Sequence, residues 1–124
     1  MSTRCCIEVV QTFGNGEGDN RKSCMLYHHH DGYPEGVGYD LKRRFKPQTT
    51  FKSGWDIDCI VNELIKDQDD EYEFTAFKHG DIEYLYVINC NEQTIKCYEC
   101  QWIFEDENGN LVDESKLGKE VPIP

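Results

Sequence analysis

No stretch of this 124-residue sequence approaches the apolar length that a membrane span needs, and Met1 is followed by Ser-Thr-Arg-Cys-Cys rather than by the apolar region of a secretory signal. The first lack argues against a helical membrane protein. The second predicts reduced thiols and a cytoplasmic setting. Cations are scarce as well: 13 Lys and Arg stand against 24 Asp and Glu, for a formal net charge of -11. The far field of such a chain repels phosphate backbones, so direct, sequence-tolerant binding to duplex DNA or RNA is not expected. A locally basic pocket could still hold a small anion, and an acidic surface could meet a basic protein. Also missing are an internal repeat, a Gly-x-Ser-x-Gly elbow for a nucleophilic serine, and a second CxxC to complete a zinc site.

What is present suffices for one core. Hydrophobic residues make up 38% and aromatics 12% of the chain, too much for a disordered acidic polymer. At this length the expectation is a single α+β domain over 1–124 with one site. The seven cysteines are odd in number and irregularly spaced, and most fall in runs that read as strand or helix, where a free Cys acts as a small buried hydrophobe. The lone CxxC, Cys97-Tyr98-Glu99-Cys100, lies in a strand pattern that turns its two thiols to opposite faces. Neither a structural metal nor a cofactor is expected.

Cys5 to Phe13 is rich in apolar and β-branched residues, a turn-forming run from Gly14 to Asn20 interrupts it, and Ser23 to His30 reads as the returning strand. The tip carries Gly14-x-Gly16-x-Gly18, but no helix follows it, so a hairpin turn is a better reading than a phosphate cradle. Pro34 is placed to open a helix, and Val37, Leu41 and Phe45 recur at helical spacing, which predicts a helix near 37–45. Ser53 with Asp56 resembles a capping box ahead of the stripe Ile57, Ile60, Val61, Leu64 and Ile65, which predicts a second helix over 54–66. The acidic run Asp67 to Glu71 reads as a solvated linker. The period then falls to two, giving strands near 71–76 and 82–88 joined at His79-Gly80-Asp81. A third strand over 94–104 turns at Asn108-Gly109 into Leu111 and Val112, and Val121 to Pro124 reads as a loose or strand-edge tail. Hairpin, two helices and meander predict a two-layer sandwich, an antiparallel sheet with both helices on one face. How the hairpin joins the meander is open at this point.

Chemistry concentrates in Tyr27-His28-His29-His30-Asp31-Gly32-Tyr33-Pro34-Glu35-Gly36-Val37-Gly38, where a strand ends, the chain turns and a helix begins. Such junctions expose side chains and backbone N–H groups together. In an extended chain His28 and His30 share one face and His29 takes the other, so the three do not converge on one metal without a bend. Imidazoles beside a carboxylate can act as acid and base or grip an anion when protonated. The plainer alternative makes Asp31 a helix cap and the glycines turn formers; for the histidines, three in succession at a strand end serve neither β-propensity nor packing. The candidate ligand-binding set is therefore His28, His29, His30, Asp31, Tyr33 and Glu35, with Arg43 as a nearby cation. Phe77 and Tyr98 are added as rings out of step with their strands and available to stack on a base.

Over Tyr27, His29, Asp31, Gly32, Tyr33, Pro34, Gly36 and Gly38, with Leu41 following, the chain resembles a family of small bacteriophage and bacterial proteins. That family is marked by a Tyr-Arg-His-x-Asp-Gly-Tyr-Pro-x-Gly-x-Gly-like motif after an N-terminal hairpin. His28 stands where such proteins often carry Arg, exchanging a permanent cation for a titrating one. The resemblance implies a viral or mobile-element origin and a role in opposing host defence.

Three functions are in contention. The first is a binding module that sequesters a small anionic, nucleotide-like ligand, with the histidines and the turn N–H groups on phosphate and a ring on the base. The second is a phosphodiesterase using the histidines as acid and base or as a metal site. The third is an acidic protein that blocks a nucleic-acid-binding host protein through Asp67 to Glu73 and Glu105 to Glu107. A homo-oligomer is compatible with each.

Overall fold

The structure, a computed structural model, describes residues 3–14, 20–47, 55–66 and 71–124. It is an α+β fold, a two-layer arrangement in which two helices pack on a six-stranded, mostly antiparallel open sheet. The first strand, β1 (Cys5–Thr12), pairs antiparallel with β2 (Arg21–His28), so that Cys5 faces His28 across the ladder. The period of two sends Cys5, Ile7 and Val9 to the helix side and Cys6 and Val10 to the other, and all five are buried. A strand buried on both faces belongs in the middle of a sheet. The order is accordingly β3-β2-β1-β4-β5-β6.

After β2 the chain makes one π-type helical turn, Pro34–Gly38, that runs straight into α1 (Tyr39–Arg44). The helix expected near 37–45 thus begins earlier, because Pro34 supplies the first helical φ without a donor to lose. The second helix, α2 (Ile57–Ile65), is shorter than the expected 54–66. Asp56 itself is the N-cap, accepting from the Cys59 N–H at 2.8 Å. Ser53 and Gly54, like the glycine-rich tip 15–19 and the acidic run 67–70, lie outside the described residues. Ile60, Val61 and Leu64 of α2 join Leu41 and Val37 in the main core against Ile7, Val9, Leu26 and Tyr86. Each such fully buried aliphatic side chain contributes roughly 1.5–3 kcal/mol relative to exposure.

The expected meander needs correction. The strand that follows α2, β3 (Glu73–Thr75), does not sit beside the next one but pairs with β2 at the far edge. The chain then crosses to β4 (Tyr84–Asn89), which lies parallel to β1 with Cys5 opposite Tyr84. Among the described residues this is the one parallel pairing in the sheet. The connection over 76–83 passes across the face opposite the helices: His79 stacks on Tyr27 with ring centroids 4.0 Å apart, and Ile82 packs with Cys6, Tyr27 and Leu85 in a second small core. Both faces of the central strands are therefore covered, one by helices and one by a loop. Strand β5 (Thr94–Glu105) and β6 (Leu111–Val121) complete the sheet. β6 runs far past Leu111 and Val112, and the C-terminal segment is held, with Ile123 packed on the main core and its carbonyl accepting from Lys42 Nζ at 3.3 Å. All seven cysteines are free, and Cys97 and Cys100 pack on opposite faces of the sheet. No helix is long and apolar enough to cross a membrane among the described residues.

Candidate functional site

β2 ends at His28, so His29 and His30 lie in the turn rather than in the strand. Asp31 follows with φ 53, a left-handed conformation that reverses the chain. Its carbonyl accepts from the Val37 N–H at 2.8 Å, which clamps the turn to the start of the helix. A Cβ on Gly36 would sit 2.2 Å from that carbonyl oxygen, so only glycine closes this clamp. Behind the turn, the buried Tyr86 hydroxyl donates to the Gly32 carbonyl at 2.7 Å, and the Gly32 N–H donates to the Thr3 carbonyl at 3.0 Å. The site loop is thus fastened to β4 and to the chain ahead of β1.

An open pocket of about 460 Å³ lies over this junction. Its floor and walls are His28, His30, Asp31 and Tyr72, with Asp40 and Glu71 beside them and Gly36 and Val37 beneath the turn. His28 is buried, its Nδ1 bonded to the His30 carbonyl and its ring set 4.6 Å from the Tyr72 ring. A second hollow of about 530 Å³ adjoins it and shares His30, Glu71 and Tyr72, with His29 and Glu73 on its rim. There His29 Nε2 meets Glu73, His30 Nε2 lies 3.3 Å from Glu71, and the two imidazole rings are 6.2 Å apart. The sequence pattern put His29 on the face away from His28, and its edge-on contact with Tyr27 at 4.6 Å agrees.

Asp40 anchors the pocket wall. It accepts from Arg43 at 2.6 Å, from Arg44 at 2.9 Å and from the Tyr72 hydroxyl at 2.9 Å. Burial pushes its carboxyl upward, yet the bonds from Tyr72, Arg43 and Arg44 outweigh burial and hold it below its ordinary value. Burial, with Asp40 beside it, pushes the Tyr72 phenol far above its ordinary range, so the ring is neutral and donates. Arg44 also reaches Glu63 of α2 at 3.5 Å, which ties both helices to the same hub. Among the described residues no group of three or more His, Cys, Asp and Glu side chains is placed to hold a metal ion.

Searches against protein-family models, curated proteins and solved structures find no match. The placement of the candidate residues therefore comes from the geometry alone. His28, His30 and Asp31 line the first pocket and His29 the adjoining hollow. Tyr33 is exposed and donates to Asp31 at 3.1 Å. Glu35 is exposed and does not line the pocket. Arg43 is spent on Asp40. Phe77 and Tyr98 lie elsewhere: Phe77 sits on the crossing loop, stacked 5.4 Å from His79, and Tyr98 stands beside Leu85 on the face opposite the helices. The ring that the pocket does contain, Tyr72, falls in the alternation of the strand expected near 71–76 and has no signal of its own, and Asp40 carries no local motif beyond its spacing to Arg43 and Arg44. The turn N–H groups are also committed, with Gly36 donating to Tyr33 and Val37 to Asp31.

Proposed function

We propose that this chain is a small-ligand-binding protein that sequesters an anionic, nucleotide-like molecule in the pocket between His28, Asp31 and Tyr72. The observation that carries this reading is the set of groups that the two adjoining hollows bring together. They share His30, Glu71 and Tyr72, the inner one adding His28 and Asp31 and the outer one His29 and Glu73, so that an aromatic ring, carboxylate acceptors and imidazoles line one continuous site. A nucleotide has the complementary pattern, a flat base with N–H donors at one end and a phosphate at the other. With the Gly36 and Val37 N–H groups already used, the phosphate belongs to the imidazoles and not to the helix start. The base belongs on Tyr72, where the neutral phenol is fixed by Asp40. In the phage family whose motif this segment resembles, such a binder would remove a nucleotide signal of host defence from the cytoplasm.

Calorimetry with nucleoside monophosphates tests this. Bases with an exocyclic amino group, as in adenosine or cytidine monophosphate, should bind about tenfold tighter than inosine or uridine monophosphate, which present to the carboxylates a carbonyl oxygen where the former present an N–H donor. Affinity should fall as salt rises, since screening weakens the attraction that holds the phosphate. Equal affinity for all four, or none, contradicts the reading. One observation favours a second reading, a phosphodiesterase: the carboxylate-backed pairs His29 with Glu73 and His30 with Glu71 stand side by side like an acid and a base. Product formation from a cyclic or dinucleotide substrate selects it.

A further inference from the structure

The strand pair β5 and β6 is longer than the sheet that carries it. β4 pairs only with Thr94 to Glu99 of β5, so the remainder of β5 and its partner residues on β6 project as a two-stranded arm. The loop that crosses the sheet reaches the outer half of the arm: a Cβ on Gly80 would lie 2.1 Å from the Asp113 carboxylate, an approach that only glycine allows. Asp113 in turn accepts from the Trp102 indole N–H at 2.7 Å. At the tip, Asp106 accepts from the Asn108 and Asn110 N–H groups, both at 2.9 Å, which fixes the turn.

This rigid arm exposes apolar surface. Trp102 and Phe104, two residues apart on one strand, have ring centroids 4.6 Å apart and are 42% and 58% exposed. Leu117, opposite Cys100, is 48% exposed, and Leu111 at the tip is 85% exposed. The Ser115 hydroxyl, across the ladder from Trp102, is buried with no hydrogen-bond partner among the described residues. Around these groups negative charge predominates. From Glu99 to Glu120 the chain carries seven carboxylates against Lys116 and Lys119. An exposed aromatic pair inside an acidic rim recognises cations that also bring apolar stems.

We infer that the arm is a docking surface for a basic segment of another protein, with arginine or lysine side chains over Trp102 and Phe104 and against Glu105 and Glu107 at the tip. The charge selects this occupant. Nucleic acid and anionic lipid are repelled by the rim, and a second copy of the chain would bring one acidic arm against another. This surface lies on a different part of the sheet from the His28 pocket and does not depend on it.

The test uses the full chain and a fluorescently labelled peptide of alternating arginine and leucine, with binding read by anisotropy at two salt concentrations. Saturable binding should weaken about tenfold in the double variant Trp102→Ala, Phe104→Ala. In Glu105→Gln, Glu107→Gln, whose side chains are exposed and outside both cores, it should weaken several-fold and depend less on salt. Thermal unfolding establishes that each variant is folded. If the aromatic variant binds as tightly as the parent, the association is diffuse charge attraction and the proposal is overturned. Should the aromatic variant not fold, unchanged binding and salt dependence in the glutamine variant overturns it equally. Sedimentation showing a dimer that Trp102→Ala dissociates would give the surface to a second copy instead.

Discussion

Asp40 is where the chemistry of single residues bears most on the pocket. Its carboxylate holds the Tyr72 hydroxyl, Arg43 and the nearly buried Arg44 at once, so Asp40→Asn leaves a guanidinium short of its counter-charge and loosens the pocket wall. The expected cost at neutral pH is about 2 kcal/mol, the range for hydrogen bonds to a charged group. Because the folded carboxyl is held below its ordinary value, its contribution is complete above that ordinary value and is lost as pH falls through the lowered one. The stability gap between wild type and Asp40→Asn should therefore be widest near neutrality and close in acid below about pH 4. Denaturant unfolding at a series of pH values measures it, and a gap independent of pH contradicts the assignment. None of this was legible in the sequence. Asp40 and Tyr72 are 32 residues apart, and only the fold brings them together.

At the scale of elements, local signals and hairpin pairings read well, and the long-range pairings of β3 with β2 and of β1 with β4 did not. The stripe Ile57 to Ile65 located α2, and Pro34 announced the helix start, because capping and periodicity are properties of neighbouring residues. The position of β3 at the far edge was not readable. Glu73, Phe74 and Thr75 alternate as any strand does, and nothing in three residues states which neighbour they take. β6 was missed over most of its length because it lies on an exposed arm, where no buried face imposes an alternation of apolar and polar residues. The junction between strand and helix, by contrast, was legible from His28 to Gly38, and its clamp makes a sharp prediction. In Gly36→Ala the new methyl meets the Asp31 carbonyl oxygen, a backbone atom that cannot move without releasing the Val37 N–H. A loss of about 2 kcal/mol or more is expected, from overpacking and the broken clamp together. Thermal unfolding reads it directly, and an unchanged midpoint shows that the turn is not closed in this way.

Across the whole molecule, the net negative charge and the crossing of the chain over both faces of the sheet divide its surface into two regions. One end holds imidazoles beside carboxylates around Tyr72, and the other projects an acidic, aromatic arm. The sequence places three of the protein's four histidines at the first, whereas His79 lies under Tyr27 on the opposite face, bonded to the Thr75 hydroxyl at 2.8 Å. That distribution provides an internal control for the central claim, that the ligand site is the pocket at the end of β2. The most direct measurement is nuclear magnetic resonance of the imidazole signals during titration with adenosine monophosphate. The signals of His28, His29 and His30 should shift together and saturate at one ligand per chain, while His79 stays in place. A saturable shift centred on His79, or no saturable shift in the other three at ligand concentrations up to about 1 mM, the weak end of specific binding, would contradict it.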